Sequence, residues 1–170
     1  MNISTKIRYG ARAVLELAYH YGEGPIELKE IAKKENISLK YLEQVIIPLR
    51  SAGLVKSVRG SKGGYSLAKS PSEICLNDLV EILEGPINLV ECLRDPKACQ
   101  KSSSCVTRDI WKEVSETIYR IFHGITLEEM ERRLIQSALL KTHNNQSKAA
   151  KLLGITRRTL GYRMKKYHIE

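Results

Sequence analysis

Apolar residues near the start of the chain recur at three- and four-residue intervals: Ile7, Ala11, Val14, Ala18 and Tyr21. That spacing, behind a cap at Ser4 or Thr5, predicts an opening amphipathic helix that stops at "GEGP" (22–25). A short second helix follows through Leu28, Ile31 and Ala32, and "ENI" turns the chain. Ser38 then caps a third helix with Leu42, Val45, Ile46 and Leu49 facing inward. Two helices joined by so tight a turn describe a helix-turn-helix. In "LVKSVRGSKGGYSLAKSP" two β-prone runs flank "RGSKGG", which predicts a hairpin. Residues 54 to 69 carry Lys56, Arg59, Lys62 and Lys69 and no acid, so a basic hairpin directly follows the helix-turn-helix, in the position of a wing.

The pattern continues with a short amphipathic helix in "CLNDLVEILEG" (75–85), where Leu79, Ile82 and Leu83 are apolar. The next segment is rich in Ser, Lys and Pro and is predicted to be a loop. From Thr107 a longer helix carries Ile110, Val114, Ile118 and Ile121 on one face with Trp111 beside them. That stripe serves either an intramolecular core or a dimer seam. "HG" (123–124) ends it, and "TLEE" (126–129) has capping-box spacing ahead of a helix through Met130, Leu134, Ile135, Ala138 and Leu139. Finally, a helix over Ser147–Leu153 meets Gly154, a turn at Ile155–Thr156 and a last helix from Arg157, which makes a second helix-turn-helix. The expected fold is mainly α with one small β-hairpin wing. Its segments are 1–73, 74–128 (cysteine loop and long helix) and 129–170.

Composition narrows the class. With 42% apolar and 28% charged residues the chain is globular and not disordered. No apolar run reaches the ~18 residues a membrane helix needs. Lys6, Arg8 and Arg12 interrupt the first apolar residues, so no signal-peptide core is read there, and the chain is expected to be cytoplasmic. The net charge is +9, and residues 131–170 hold nearly all of it: ten Lys/Arg against two acids. So concentrated a basic segment points to a polyanionic partner, nucleic acid before acidic membrane. Nothing resembles a catalytic triad, a P-loop or a dinucleotide fingerprint, so no enzyme is expected.

Three of the four cysteines, Cys92, Cys99 and Cys105, fall in "CLRDPKACQKSSSC". In a reducing compartment clustered thiols are more often metal or redox ligands than disulfides. Soft thiolates select iron–sulfur units, zinc or copper(I). Zinc sites favour Cys pairs two to four residues apart, whereas spacings of six and then five suit a loop around a larger cluster. A thiol switch, activated by Arg94, Lys97, Lys101 and Arg108, and a zinc site stay open beside it. Cys75 is expected to be a buried helix-start residue, and the four histidines to be helix-end or surface residues.

"STKIRYGARAVLELA", "SLKYLEQVIIPLRSAGLVKSVRGSKGGYSLAK" and the cysteine loop with "RDIWKEVSETIYRIFHGITLEEM" resemble the IscR/NsrR-type winged-helix iron–sulfur regulators over residues 1–130. The resemblance implies a homodimer joined through the long helix after the cysteine loop. It also implies double-stranded DNA as partner, with the third helix in the major groove and the wing at the minor groove. In many members an iron–sulfur cluster, [2Fe–2S] or [4Fe–4S], sits in the loop, which would make Cys92, Cys99 and Cys105 its ligands. Members with a [2Fe–2S] cluster carry a His in "C-x-x-H", a place filled here by Arg108. Members with a [4Fe–4S] cluster can recruit a carboxylate from the partner's first helix, where this chain has Arg8. Glu91, Asp95, Asp109 or an exogenous molecule is then left as fourth donor.

Residues 129–169, through "NQSKAAKLLGITRRTLGYRMKKY", resemble the Fis-type helix-turn-helix that ends many bacterial activators. Two reading heads follow. The first is Lys40, Tyr41, Glu43 and Gln44, with Arg59 and Lys62 on the wing. The second is Thr156, Arg157, Arg158, Thr159, Tyr162 and Arg163, with Lys165 and Lys166 for phosphates. Gln suits adenine, Glu suits cytosine and Arg suits a narrow minor groove. Fis-type helices also pair with each other, and Leu134, Ala138 and Leu139 are the residues for such a seam.

Overall fold

The computed structural model describes residues 3–60 and 63–169. Helices α1 (Thr5–Tyr19), α2 (Leu28–Glu35) and α3 (Leu39–Ser51) precede strands β1 (Val55–Val58) and β2 (Gly64–Leu67). Then come α4 (Leu76–Glu84), the single turn α5 (Glu91–Arg94), α6 (Val106–His123), α7 (Leu127–Lys141), α8 (Gln146–Leu153) and α9 (Arg157–Lys166). Among the described residues no helix is long and apolar enough to cross a membrane.

The first core gathers α1 to α4 and the wing. Ser4 caps α1 by accepting the Ile7 N–H, and Val14, Leu17 and Ala18 are buried along its inner face. The helix closes one residue past Tyr19, at His20, whose N–H reaches the Leu17 carbonyl and whose ring lies between Glu16 and Glu23. Tyr21 therefore falls outside the helix and is exposed, against the expectation that it continues the apolar face. All four inward residues expected on α3 are buried. β1 and β2 pair antiparallel, Val55 with Leu67 and Val58 with Gly64. Ile26 exchanges two backbone hydrogen bonds with Tyr65, at 2.9 and 2.8 Å, which ties the wing to the segment before α2. Gly10 lies where α1 meets α4, and a Cβ there would collide with Leu83. Leu79, Val80 and Leu83 thus belong to the first core, although the sequence groups α4 with the cysteine loop.

A second core joins α7, α8 and α9 through Ile135, Ala138, Leu139, Ala149, Ala150, Leu160 and Met164. Ala138 and Leu139 are therefore internal packing and not the seam weighed for them, and Leu134 alone of the three is exposed. Asn145 caps α8, which starts at Gln146, one residue before the start expected from the sequence. The capping box at "TLEE" is only half made. Thr126 accepts the Glu129 N–H, but the Glu129 carboxylate turns to Arg132 and Arg133, whose guanidinium groups hold it at about 2. Helix α7 links the cores, with Leu127 in the first and Ile135 in the second.

Glu16 pins α1 to α2. It is buried, and its Oε1 accepts from Lys34 Nζ at 2.7 Å. Burial opposes its charge, but hydrogen bonds from His20 and Lys34 outweigh it and hold the carboxyl below the usual range. A carboxyl lowered by folding adds stability above its unfolded pKa of about 4.3 and loses it as pH falls through the lowered folded value. Glu16→Gln is expected to reduce unfolding free energy by about 1–3 kcal/mol at neutral pH. In urea titrations that difference should shrink below about pH 4. An undiminished difference at lower pH would rule out the ionic contribution.

Candidate nucleic-acid interface and cysteine loop

Helix α3 has two faces. Leu42, Val45, Ile46 and Leu49 fill the core, and the opposite side offers Lys40, Glu43 and Gln44 to solvent. Ser38 fixes the helix start by accepting the Tyr41 N–H at 3.2 Å. Tyr41 is half-buried with its ring edge-on to Tyr9, 5.6 Å between centroids, so it braces α3 against α1 as much as it faces outward. Ile47 is 54% exposed on the same side as Glu43 and Gln44, four and three residues on from them. Sequence reasoning passed over it. The signal was there, because Ile47 falls out of phase with the inward residues of its own helix. An exposed aliphatic side chain beside Gln and Glu matches a thymine methyl next to base-edge acceptors and donors. Arg59 is exposed just past β1, and Lys62 lies outside the described residues.

On α9 the structure divides the second set. Thr156 spends its hydroxyl capping the helix, accepting the Thr159 N–H at 3.0 Å. Its Oγ1 also lies 2.9 Å from that of half-buried Thr159. Arg157 and Arg158 are exposed, and Tyr162 is largely so. Gly154 takes the left-handed conformation, φ +66°, that the turn between α8 and α9 requires. Arg163 does not fit the surface role expected for it. It is buried, its Nη1 donates to Glu131, its Nη2 donates to the Tyr19 carbonyl, and its guanidinium lies 5.5 Å from the Tyr19 ring centroid. The physical reason is Glu131, a buried carboxylate that needs a cation. Tyr167 donates to the same carboxylate at 2.6 Å, and Lys166 pairs with Glu128 at 2.8 Å. Lys165 stays exposed.

The expected loop between α4 and α6 contains α5 and a 3-10 turn at Pro96–Ala98. Cys92 lies in α5, Cys99 just after the turn, and Cys105 at the N-cap of α6. None is in a disulfide, and all three are at least partly exposed. Arg108 brings two of them around one guanidinium: its Nη2 donates to the Cys92 carbonyl at 3.5 Å, and its charge acts on Cys105. The Thr107 hydroxyl, then the Arg108 N–H, lower the Cys105 thiol below its ordinary value. Arg108 Nε is buried without a partner. Among the described residues no three Cys, His, Asp or Glu side chains converge on one point. The donor set fits a thiophilic centre in kind, while its convergence requires the loop to close. Cys75 is buried at the start of α4, with Asp78 accepting its N–H at 2.8 Å.

Helix α6 leaves its stripe uncovered. Ile110, Trp111, Val114 and Ile121 are exposed and Ile118 is half-buried, so most of the stripe is not intramolecular core.

This architecture matches known proteins. Residues 3–133 match the Rrf2 model, described as an iron-dependent transcriptional regulator. The chain belongs to the Rrf2 family. Residues 126–167 match a second model, a bacterial regulatory protein of the Fis family. Rrf2 relatives include the HTH-type transcriptional regulator CymR of Bacillus subtilis, 44% identical over 130 residues, which span 76% of this chain and 89% of that protein. The HTH-type transcriptional regulator IscR of Aliivibrio salmonicida is 38% identical over 76% of this chain and 77% of its own length. Among solved structures, CymR of B. subtilis, the global cysteine regulator of that organism, superposes with a TM-score of 0.66 at 42% identity, over 78% of this chain and 98% of that one. IscR of T. potens gives 0.65 at 41% identity, over 78% and 88%.

Replacing Arg163 by Met keeps the bulk but strands Glu131 in the interior. The expected loss is about 3–5 kcal/mol in the stability of the α7–α9 unit, read by hydrogen exchange of its amides. Arg157→Met, at an exposed position, should change it by less than about 0.5 kcal/mol.

Proposed function

We propose that the protein is a DNA-binding transcriptional regulator acting as a homodimer, with an iron–sulfur cluster held by Cys92, Cys99 and Cys105 setting its affinity for DNA. The observation that carries the DNA reading is the solvent face of α3, where Lys40, Glu43, Gln44 and Ile47 stand together beside a basic hairpin. In the major groove Gln44 pairs with adenine, Glu43 accepts from cytosine N4 and Ile47 meets a thymine methyl. Arg59 suits the minor groove at the wing, and the Ile26–Tyr65 bridge gives that wing a rigid base. Arg157 and Arg158 on α9, with Lys165, supply a second point of attachment to the same duplex. The exposed Ile110–Ile121 stripe of α6 is the dimer seam, since an uncovered row of large apolar side chains needs a partner. Such a regulator works in the cytoplasm.

Three thiols and the lowered pKa of Cys105 support metal ligation, since the thiolate is the ligating form. When bound, the cluster supplies a redox- and iron-sensitive link between the loop and α6. Cys105 at the α6 N-cap and Cys92 on α5 transmit the state of the loop to the proposed dimer helix. A thiol switch is the second reading, favoured by the same lowered thiol; zinc is the third.

Protein purified without oxygen should contain iron and sulfide and absorb in the visible, and Ser at Cys92, Cys99 or Cys105 should abolish both while Cys75→Ser does not. Protein free of iron and sulfide that instead forms a disulfide on mild oxidation would favour the switch, and stoichiometric zinc the third reading. Binding-site selection with the intact chain should return a two-fold symmetric sequence. On that site Gln44→Ala should cost about 1–3 kcal/mol and relax choice at one base pair per half-site. Lys165→Ala should weaken all sites alike and flatten the log–log salt dependence by about 0.9 for each phosphate no longer neutralised. A Gln44→Ala protein with unchanged affinity and selectivity would take α3 out of the groove.

A further inference from the structure

The two helix-turn-helices of one chain are fastened to each other on three different elements. At the start of α7 the Leu76 N–H donates to the Ile125 carbonyl at 2.8 Å and the Leu127 N–H to the Ile74 carbonyl at 2.9 Å. Leu127 is fully enclosed there, and Met130 packs on the first core one turn later. On α9, Arg163 donates to the Tyr19 carbonyl at the end of α1. In the turn between α8 and α9, Gly154 abuts α2: a Cβ on it would lie 2.8 Å from Lys34 Cε.

Tyr19 is the hub of these contacts. The centroid of its buried ring lies 5.5 Å from the Arg163 guanidinium and 5.6 Å from Lys34 Nζ. Both cations are within cation–π range, so one ring of α1 joins α2 of the first helix-turn-helix to α9 of the second. Each cation also has a carboxylate that keeps it in place, Glu16 for Lys34 and Glu131 for Arg163. A single attachment leaves a swivel, and two leave a hinge. A third on a different element leaves neither. Domains of one chain move freely when a small polar interface is all that joins them. Here backbone pairing, an enclosed leucine and a buried ion pair act together.

We infer that the two helix-turn-helices form one rigid reading unit, with Arg163 as the positioning residue that sets where the second meets DNA relative to the first. The exposed Arg157, Arg158 and Lys165 of α9 then touch the DNA backbone at a single distance from the groove that α3 enters. A loosely tethered module would sample many distances. The target is thus a duplex that extends past each α3 half-site by a set length. This rests on the DNA reading of both helix-turn-helices and adds the spacing to it.

Hydroxyl-radical footprinting of the intact chain on its selected site tests it. Outside each half-site one narrow protected patch is expected, at the same distance on both sides, and Arg157→Met with Arg158→Met should erase it. Duplexes shortened stepwise from their ends should keep full affinity until the cut reaches that patch, then bind at least about tenfold more weakly. Glu131→Leu with Arg163→Met turns the buried pair into apolar bulk, an exchange that commonly leaves a fold intact. Hydrogen exchange of the α7–α9 amides checks that it does. In this protein half-site protection should stay, the outer patch should spread or vanish, and shortening should weaken binding less than about threefold. Should the α7–α9 unit unfold instead, the footprint and length dependence of the natural chain decide alone. Fixed spacing is overturned if the natural chain protects flanking DNA diffusely or not at all, or if affinity declines gradually with length. It is overturned as well if the patch survives loss of Arg157 and Arg158, or stays sharp in the folded Glu131→Leu, Arg163→Met protein. A chain that binds no duplex sinks the DNA reading too, whereas a missing patch with Gln44→Ala still weakening binding sinks the spacing alone.

Discussion

The guanidinium of Arg163 is held by groups from both halves of the molecule: Glu131 on α7, the last carbonyl of α1, and the ring of Tyr19. Desolvating a guanidinium and a carboxylate offsets most of their attraction, so such a pair adds little net stability. What it does is choose an arrangement. Burial pushes the Glu131 carboxyl up, while the Tyr167 hydroxyl and the Arg163 guanidinium pull it back. Burial, and then the Glu131 carboxylate, also raise the hydroxyls of Tyr19 and Tyr167 well above the tyrosine range. Tyr167 therefore remains a neutral donor to Glu131 at any physiological pH. Any placement of α9 that pulled Arg163 away would leave a buried carboxylate uncovered. The orientation of the second helix-turn-helix is tied to that constraint.

The first helix-turn-helix is built on a different principle. Its geometry comes from apolar packing around α3, with four fully enclosed aliphatic side chains on one face and nothing buried on the other. A helix held so firmly by its inner face can present the outer one without using its polar side chains for stability. The wing is secured through the backbone, by the β1–β2 ladder and the Ile26 bridge, and among the described residues Arg59 makes no ion pair.

Between the two heads, α5 and α6 are the least self-sufficient part of the chain. The cysteine loop has few buried residues, and α6 buries Ser115 alone. The stripe and the thiols are the surfaces that the proposed function fills, the first with a second copy of the chain and the second with a cluster. Under that proposal, what the loop holds is coupled to how the two reading heads are spaced.

Local chemistry made most of the elements legible in advance. Ser38 before an amphipathic run, paired β-prone segments around "RGSKGG", and Gly154 between two short helices each act within a few residues, so α3, the wing and the second helix-turn-helix were readable from the chain. Small errors arose where one side chain had two possible partners. Glu129 took Arg132 and Arg133 over the cap, and His20 closed α1 against its acidic neighbours before Tyr21. The candidate site was legible to the extent that exposure follows helical phase, as for Lys40, Glu43, Gln44, Arg157 and Arg158. Arg163 was not legible, because its partners Glu131 and Tyr19 lie 32 and 144 residues away in sequence. A charge in a basic helix is read locally as a solvent-facing one. Only tertiary packing, by burying a carboxylate opposite it, decided that this arginine joins the two halves instead of facing outward.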